Sequence, residues 1–118
     1  MDIEEIREYA LVKEQVTESL PFDEETPVFK VCNKMFMLLN LTPPFSINLK
    51  CDPERAVELR EEYEDIIPGY HMNKMHWNTV MLDGNISGSL LKELIDHSYA
   101  LVVSSLPKKL RESFGKGE

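Results

Sequence analysis

The chain has 118 residues, of which 42% are hydrophobic and 29% charged, with a formal net charge of −8 and two cysteines. That length suits one core, so residues 1–118 are read as a single domain. No apolar run approaches the ~18 residues that cross a bilayer, the acidic start Met1-Asp2-Ile3-Glu4-Glu5 is no secretory signal, and Cys32 and Cys51 lack the CxxC spacing of a metal or redox motif. A cytoplasmic protein with no membrane partner is the expectation, and a monomer is expected.

Residues 2–16 are predicted to form a helix, with Ile3, Ile6, Ala10 and Lys13 at helical spacing and Tyr9, Val12 and Val16 beside them. Leu20-Pro21 ends that pattern and residues 23–26 read as a loop. Val28 to Leu41 reads as a hairpin whose two-residue turn is Cys32-Asn33, since asparagine tolerates the left-handed conformation such turns demand. Phe45 to Cys51 alternates, with Phe45, Ile47, Leu49 and Cys51 inward and Ser46, Asn48 and Lys50 outward. Asp52-Pro53 starts a helix that runs to about Tyr63, with Ala56, Leu59 and Tyr63 as its buried stripe. Ile66-Ile67-Pro68-Gly69 leads into a second hairpin, predicted to turn at Asn73-Lys74 and to reach Leu82. Ser87 or Ser89 caps a helix from about 89 to 104, Pro107 stops it, and residues 107–118 form a basic tail expected to fray. The order α-β-β-β-α-β-β-α implies an α+β fold, an antiparallel sheet with helices packed on one face and the other face open to water.

The charge is unevenly spread. Residues 1–25 hold nine acids against two bases, net −7, and residues 52–67 hold seven against two, net −5. Residues 26–51 hold three lysines and no acid, and residues 68–118 carry six bases against five acids, net +1. The negative charge therefore sits on segments that read as helices, and the local field of a face matters more for binding than the total.

A turn at Asn73-Lys74 would pair Tyr70 with Trp77, His71 with His76 and Met72 with Met75. Paired residues share a face, so Tyr70, Met72, Met75, Trp77 and Met81 would form an apolar side. His71, His76 and Asn78 would form a polar side, with Lys74 at the tip. Three readings of this polar side stay open: a solvated surface, a nucleic-acid surface with Lys74 on a phosphate, and a metal site built on the two histidines. Zinc wants three or four ligands, and no third residue sits at an obvious spacing. No Gly-rich phosphate loop, HExxH or Gly-x-Ser-x-Gly is present. No catalytic residue, cofactor or metal site is expected, and the chain is read as a non-enzyme.

Several strings resemble the MmcQ/YjbR family: Phe29-Lys30-Val31, Asn33-Lys34-Met35-Phe36, Ser46-Ile47-Asn48-Leu49-Lys50-Cys51-Asp52-Pro53, Pro68-Gly69-Tyr70-His71-Met72-Asn73-Lys74, His76-Trp77-Asn78-Thr79-Val80, Asp96-His97-Ser98-Tyr99 and Leu106-Pro107-Lys108-Lys109. The resemblance covers about residues 5–111. It implies a frataxin-like (CyaY-like) fold, similar also to the C-terminal domain of the phage transcription factor MotA, and a DNA-binding role through a "double wing" of hairpins at 28–40 and 69–82. The partner it implies is double-stranded DNA. The matched polar positions are Lys34, Asn48, Lys50, Asn73, Lys74, His76 and Asn78. The family usually has glycine where this chain has Asn33. The same likeness to frataxin implies a second role, in which the acidic ridge Asp2, Glu4, Glu5 and Glu8 binds iron weakly or docks a protein partner.

Overall fold

Asp2 opens the first helix, α1 (Ile3–Leu11), with a capping box: its carboxylate accepts from Glu5 N at 2.8 Å and Glu5 Oε1 accepts from Asp2 N at 3.0 Å. The computed structural model describes residues 1–70 and 72–114. Ile6 and Ala10 are the buried positions of α1. The helix stops at Leu11, short of the predicted 16. Gln15 takes a φ of 60°, a left-handed conformation through which a right-handed helix does not continue. Val16–Ser19 then forms a strand, β1, whose half-buried and exposed residues alternate. The sequence order thus gains a strand, because the β-branched pair Val16-Thr17 belongs to β1 and not to the helix.

The first hairpin is as expected. β2 (Val28–Val31) and β3 (Lys34–Asn40) are joined at Cys32-Asn33, whose φ values of 49° and 67° fit a turn with two left-handed residues. Next come β4 (Ser46–Lys50), α2 (Pro53–Glu62), β5 (Ile66–Pro68), β6 (Trp77–Met81), α3 (Gly88–Ser104) and α4 (Lys108–Arg111). Asp52 caps α2 by accepting from Arg55 N, and Ser87 caps α3 by accepting from Leu90 N at 3.1 Å. The stretch after Pro107, expected to fray, is helical from Lys108 to Arg111. The strands form one antiparallel sheet in the order β1-β2-β3-β4-β6-β5. Both edges are short, and β5 ends in Pro68, which limits pairing with another chain.

The helices cover one face. Phe29, Met37, Leu39, Ile47, Leu49, Ile66 and Val80 pack there against Ile6, Ala10, Ala56, Leu59, Leu94 and Ile95. A register shift between Phe29 and Lys30 also turns Phe36 toward this side, where its ring meets Tyr99 edge-on at 5.4 Å. On the second face, Val28, Leu38, Asn48 and Thr79 lie in one row across four strands, and all are buried. The expectation of an open, wet second face is not met at its centre. Beside it stand Phe22 and Thr26, from the loop before β2, and Tyr70 and Met72, from the loop after β5.

β3 and β4 pair from Asn40↔Ser46 to Met37↔Leu49. Just past that pair, Ser98 of α3 bridges the two strands. Its Oγ accepts from Lys50 N at 2.9 Å and donates to Phe36 O at 2.5 Å. Ser98 is completely buried, so Ser98→Ala leaves both backbone groups without a partner. Urea unfolding should show a loss of about 1–3 kcal/mol. The neighbouring His97 Nε2 accepts from Asp52 N at 3.1 Å, which requires that nitrogen to be unprotonated. Desolvation, helped by Arg55, holds the His97 pKa below its usual value. The lower folded pKa means that folding favours the neutral ring. Its contribution is complete above the unfolded value of about 6.5 and is lost as pH falls through the folded value. Between about pH 7.5 and pH 5, the wild type should lose more stability than His97→Asn.

Candidate functional site

The second hairpin departs most from its sequence reading. The Asn73-Lys74 turn would put Asn78 opposite Gly69, but Ile66 pairs with Val80, Ile67 with Thr79 and Pro68 with Asn78. That is a slip of one residue, which exchanges the faces. The strands are also not joined by a two-residue turn: β5 ends at Pro68 and β6 begins at Trp77. Residues 69–76 form a loop held by Gly69 N to Trp77 O at 2.9 Å, His76 N to Asn73 O at 3.2 Å and Met75 N to Asn73 Oδ1 at 2.9 Å. A Cβ on Gly69 would lie 2.8 Å from Trp77 Cβ, so only glycine lets the loop close on β6 here.

The seven polar positions do not share one wet face. Asn78, expected to point outward, lies under α2. Its Oδ1 accepts from Arg60 Nη1 at 2.9 Å and its Nδ2 donates to Ala56 O at 3.3 Å. Asn48 is on the second face but buried, with its Oδ1 accepting from Thr79 Oγ1. Asn73 uses its Oδ1 to hold its own loop, and Lys74 O accepts from Arg60 Nη1 at 3.2 Å. Lys34 and Lys74 are exposed, and Lys50 and His76 are half-buried. Trp77, read as core, is buried on the second face, opposite Lys50. The predicted cross-strand histidine pair involves His71, which lies outside the described residues.

Topology nevertheless gathers the lysines. β3 and β6 flank β4 and run in the same direction, so both begin at one end of the sheet. The Cys32-Asn33 turn and the 69–76 loop therefore emerge side by side, with roots about 10 Å apart. Lys34, Lys50, Lys74 and His76 belong to this end, and Lys30 lies one row inward on the second face. The turn after α4 docks here too. Gln15 Nε2 donates to Ser113 Oγ at 2.9 Å, and Cys32 Sγ donates to Gln15 Oε1 at 3.4 Å. That contact brings Ser113, just after α4, to the same end. Among the described residues, none of Lys30, Lys34, Lys50 and Lys74 is in an ion pair, whereas Arg7, Lys13 and Arg55 are paired to carboxylates on the helix side.

A cleft of about 380 Å³ opens on the second face. Its floor is Leu38, Asn40, Ser46 and Asn48, and its walls include Phe22, Met35, Tyr70 and Met72. Sequence reasoning missed this cleft, because its walls come from two loops that only the sheet order brings together.

A YjbR family model matches residues 11–101. The chain belongs to the YjbR family. It is 46% identical over 91 residues to YbdF of Escherichia coli O157:H7, covering 75% of this chain and 74% of that protein. It is 34% identical over 113 residues to YjbR of Escherichia coli K12, covering 95% and 96%. Among solved structures, a Deinococcus radiodurans protein, DR2400, with a DUF419 domain, superposes with a TM-score of 0.89 at 40% identity, covering 94% of this chain and 86% of that one. A Pseudomonas syringae protein superposes at 0.76 with 29% identity, covering 86% and 98%. The antiparallel sheet with its helical layer is thus a fold of the YjbR family, and the 69–76 loop, β6 and most of α3 lie within the matched region. In this YjbR protein, Asn78→Ala should cost about 1–3 kcal/mol in thermal or urea unfolding, because Ala56 O and Arg60 lose a buried partner.

Proposed function

We propose that this protein binds DNA, without catalysis, through the lysine-bearing end of its sheet. The observation that carries the reading is the convergence of the first hairpin tip and the 69–76 loop at one end, with Lys30, Lys34, Lys50 and Lys74 unpaired among the described residues. Lysine ammonium groups are point charges suited to phosphates, and two adjacent projecting loops can straddle a backbone. The net charge of −8 is carried largely by α1, the loop from 20 to 27 and α2, so only one orientation is attractive. Contacts to phosphates then set affinity, and the asparagines of the sheet contribute none at this end.

Neither Cys51 nor Ser98 is poised as a nucleophile. Burial pushes the Cys51 thiol above its usual pKa, which keeps it protonated and unreactive. The Ser98 hydroxyl is committed to Phe36 O. The acidic ridge of α1 gives less support to the iron-binding reading. Asp2 and Glu5 cap each other's backbone, and Arg7 holds Glu4 at 2.6 Å and Glu18 at 2.7 Å. Glu8 is exposed.

The test is a salt titration of binding to labelled duplex and single-stranded DNA. The logarithm of affinity should fall with that of salt at a slope of roughly −3 to −4, one unit for each phosphate contact. Lys34→Ala and Lys74→Ala should each reduce the slope by about one. Absence of binding at about 50 mM salt, where electrostatic association is strongest, would reject the proposal.

A further inference from the structure

The second-face cleft contains two polar groups that the fold leaves unused. Asn48 and Ser46 are each only 6% exposed. Thr79 Oγ1 accepts from Tyr70 N at 3.0 Å and donates to Asn48 Oδ1. In this structure the relay sets Asn48 Oδ1 toward Thr79. It leaves the Asn48 Nδ2 donor with no partner among the described residues, and Ser46 Oγ also has none. No fully enclosed side-chain nitrogen or oxygen among the described residues lacks a partner, so both groups keep access to the cleft they line. A ligand that pairs with both groups gains specificity.

The walls define the ligand further. Phe22 is 69% exposed and Tyr70 is 67% exposed, and they stand with Met35 and Met72 around the polar floor. Flat rings are held well by such walls. Lys30 pairs with Met35 on this face, and Lys50 sits next but one to Asn48 along β4. A volume of about 380 Å³ falls within the range of ~300–1,000 Å³ typical of small-ligand sites.

We propose that this cleft receives one unstacked nucleobase. The base edge accepts from Asn48 Nδ2 and bonds to Ser46 Oγ, its faces lie against Phe22 and Tyr70, and its phosphate points to the lysine end. The inference rests on the DNA-binding reading for the source of the base, while the cleft chemistry would equally take the base of a nucleotide in solution.

Fluorescence anisotropy with the full chain separates the two readings. The probes are a fully paired duplex, the same duplex with one unpaired base, and the unpaired-base duplex with an abasic residue at that position. The unpaired-base duplex should bind about tenfold tighter than the other two, the scale of one base–aromatic stack. Phe22→Ala, a change at an exposed site, and Ser46→Ala should each remove that preference and leave paired-duplex binding unchanged. Adding the oligonucleotide should shift the Asn48 side-chain amide resonances in a nitrogen–proton spectrum. Equal affinity for all three probes, or a preference that survives both variants, would overturn the base-in-cleft inference and leave DNA binding standing. If no DNA binds but nucleoside monophosphates shift the Asn48 amide, the DNA reading falls and the cleft is assigned to free nucleotides. Silence in both assays rejects both.

Discussion

The centre of the sheet is buried on both sides, and that constraint organises the molecule. β3 and β4 carry Met37, Leu39, Ile47 and Leu49 toward the helices and Leu38 and Asn48 toward the second face. Any polar group there must find a partner, since a buried donor or acceptor without one costs more than a typical hydrogen bond gains. On the helix side, Ser98 meets the requirement by bridging Lys50 N and Phe36 O. On the other side, Thr79 meets it for Asn48 Oδ1. The first arrangement is closed. The second leaves the Asn48 amide donor and Ser46 Oγ facing the cleft.

The helix layer is likewise tied down through polar contacts. Asn78 links β6 to α2 through Ala56 O and Arg60. His97 of α3 receives the amide of Asp52 at the start of α2. Asp96 receives Tyr9 at 2.8 Å and Lys13 at 2.5 Å from α1 and the residues after it. Cations near the helices are thereby used in holding helices, and the lysines of the sheet end are not. The separation follows from connectivity: acids cluster on α1, the loop from 20 to 27 and α2, while Lys30, Lys34 and Lys50 fall on strands or their ends.

Two loops shape the lysine-bearing end of the sheet. The Cys32-Asn33 turn is fixed by local chemistry, two left-handed residues between paired strands. The 69–76 loop is fixed instead by tertiary contacts to Trp77, Thr79 and Arg60. It contributes Lys74 to the basic end and Tyr70 and Met72 to the cleft, so one segment serves both surfaces.

Residue order alone determined the α+β class, the first hairpin with its turn, the cap at Asp52 and the inward positions of Ile47, Leu49 and Cys51, because each depends on neighbours a few positions away. Phe45, expected inward with them, precedes β4 and is 39% exposed, and the α3 cap stayed open between Ser87 and Ser89 until the structure assigned it to Ser87. Family membership was also legible, in strings such as Tyr70 to Asn78. Strand β1 was hidden because Val16 fits a helical repeat as well as an alternating one, and only the backbone reversal at Gln15 separates the two. The face of Asn78 was hidden because register between strands depends on how a loop closes, and Gly69 packing on Trp77 moved that register by one. The cleft and the gathering of lysines were decided by tertiary structure, since a strand order that places β4 between β3 and β6 brings together residues with no relation along the chain.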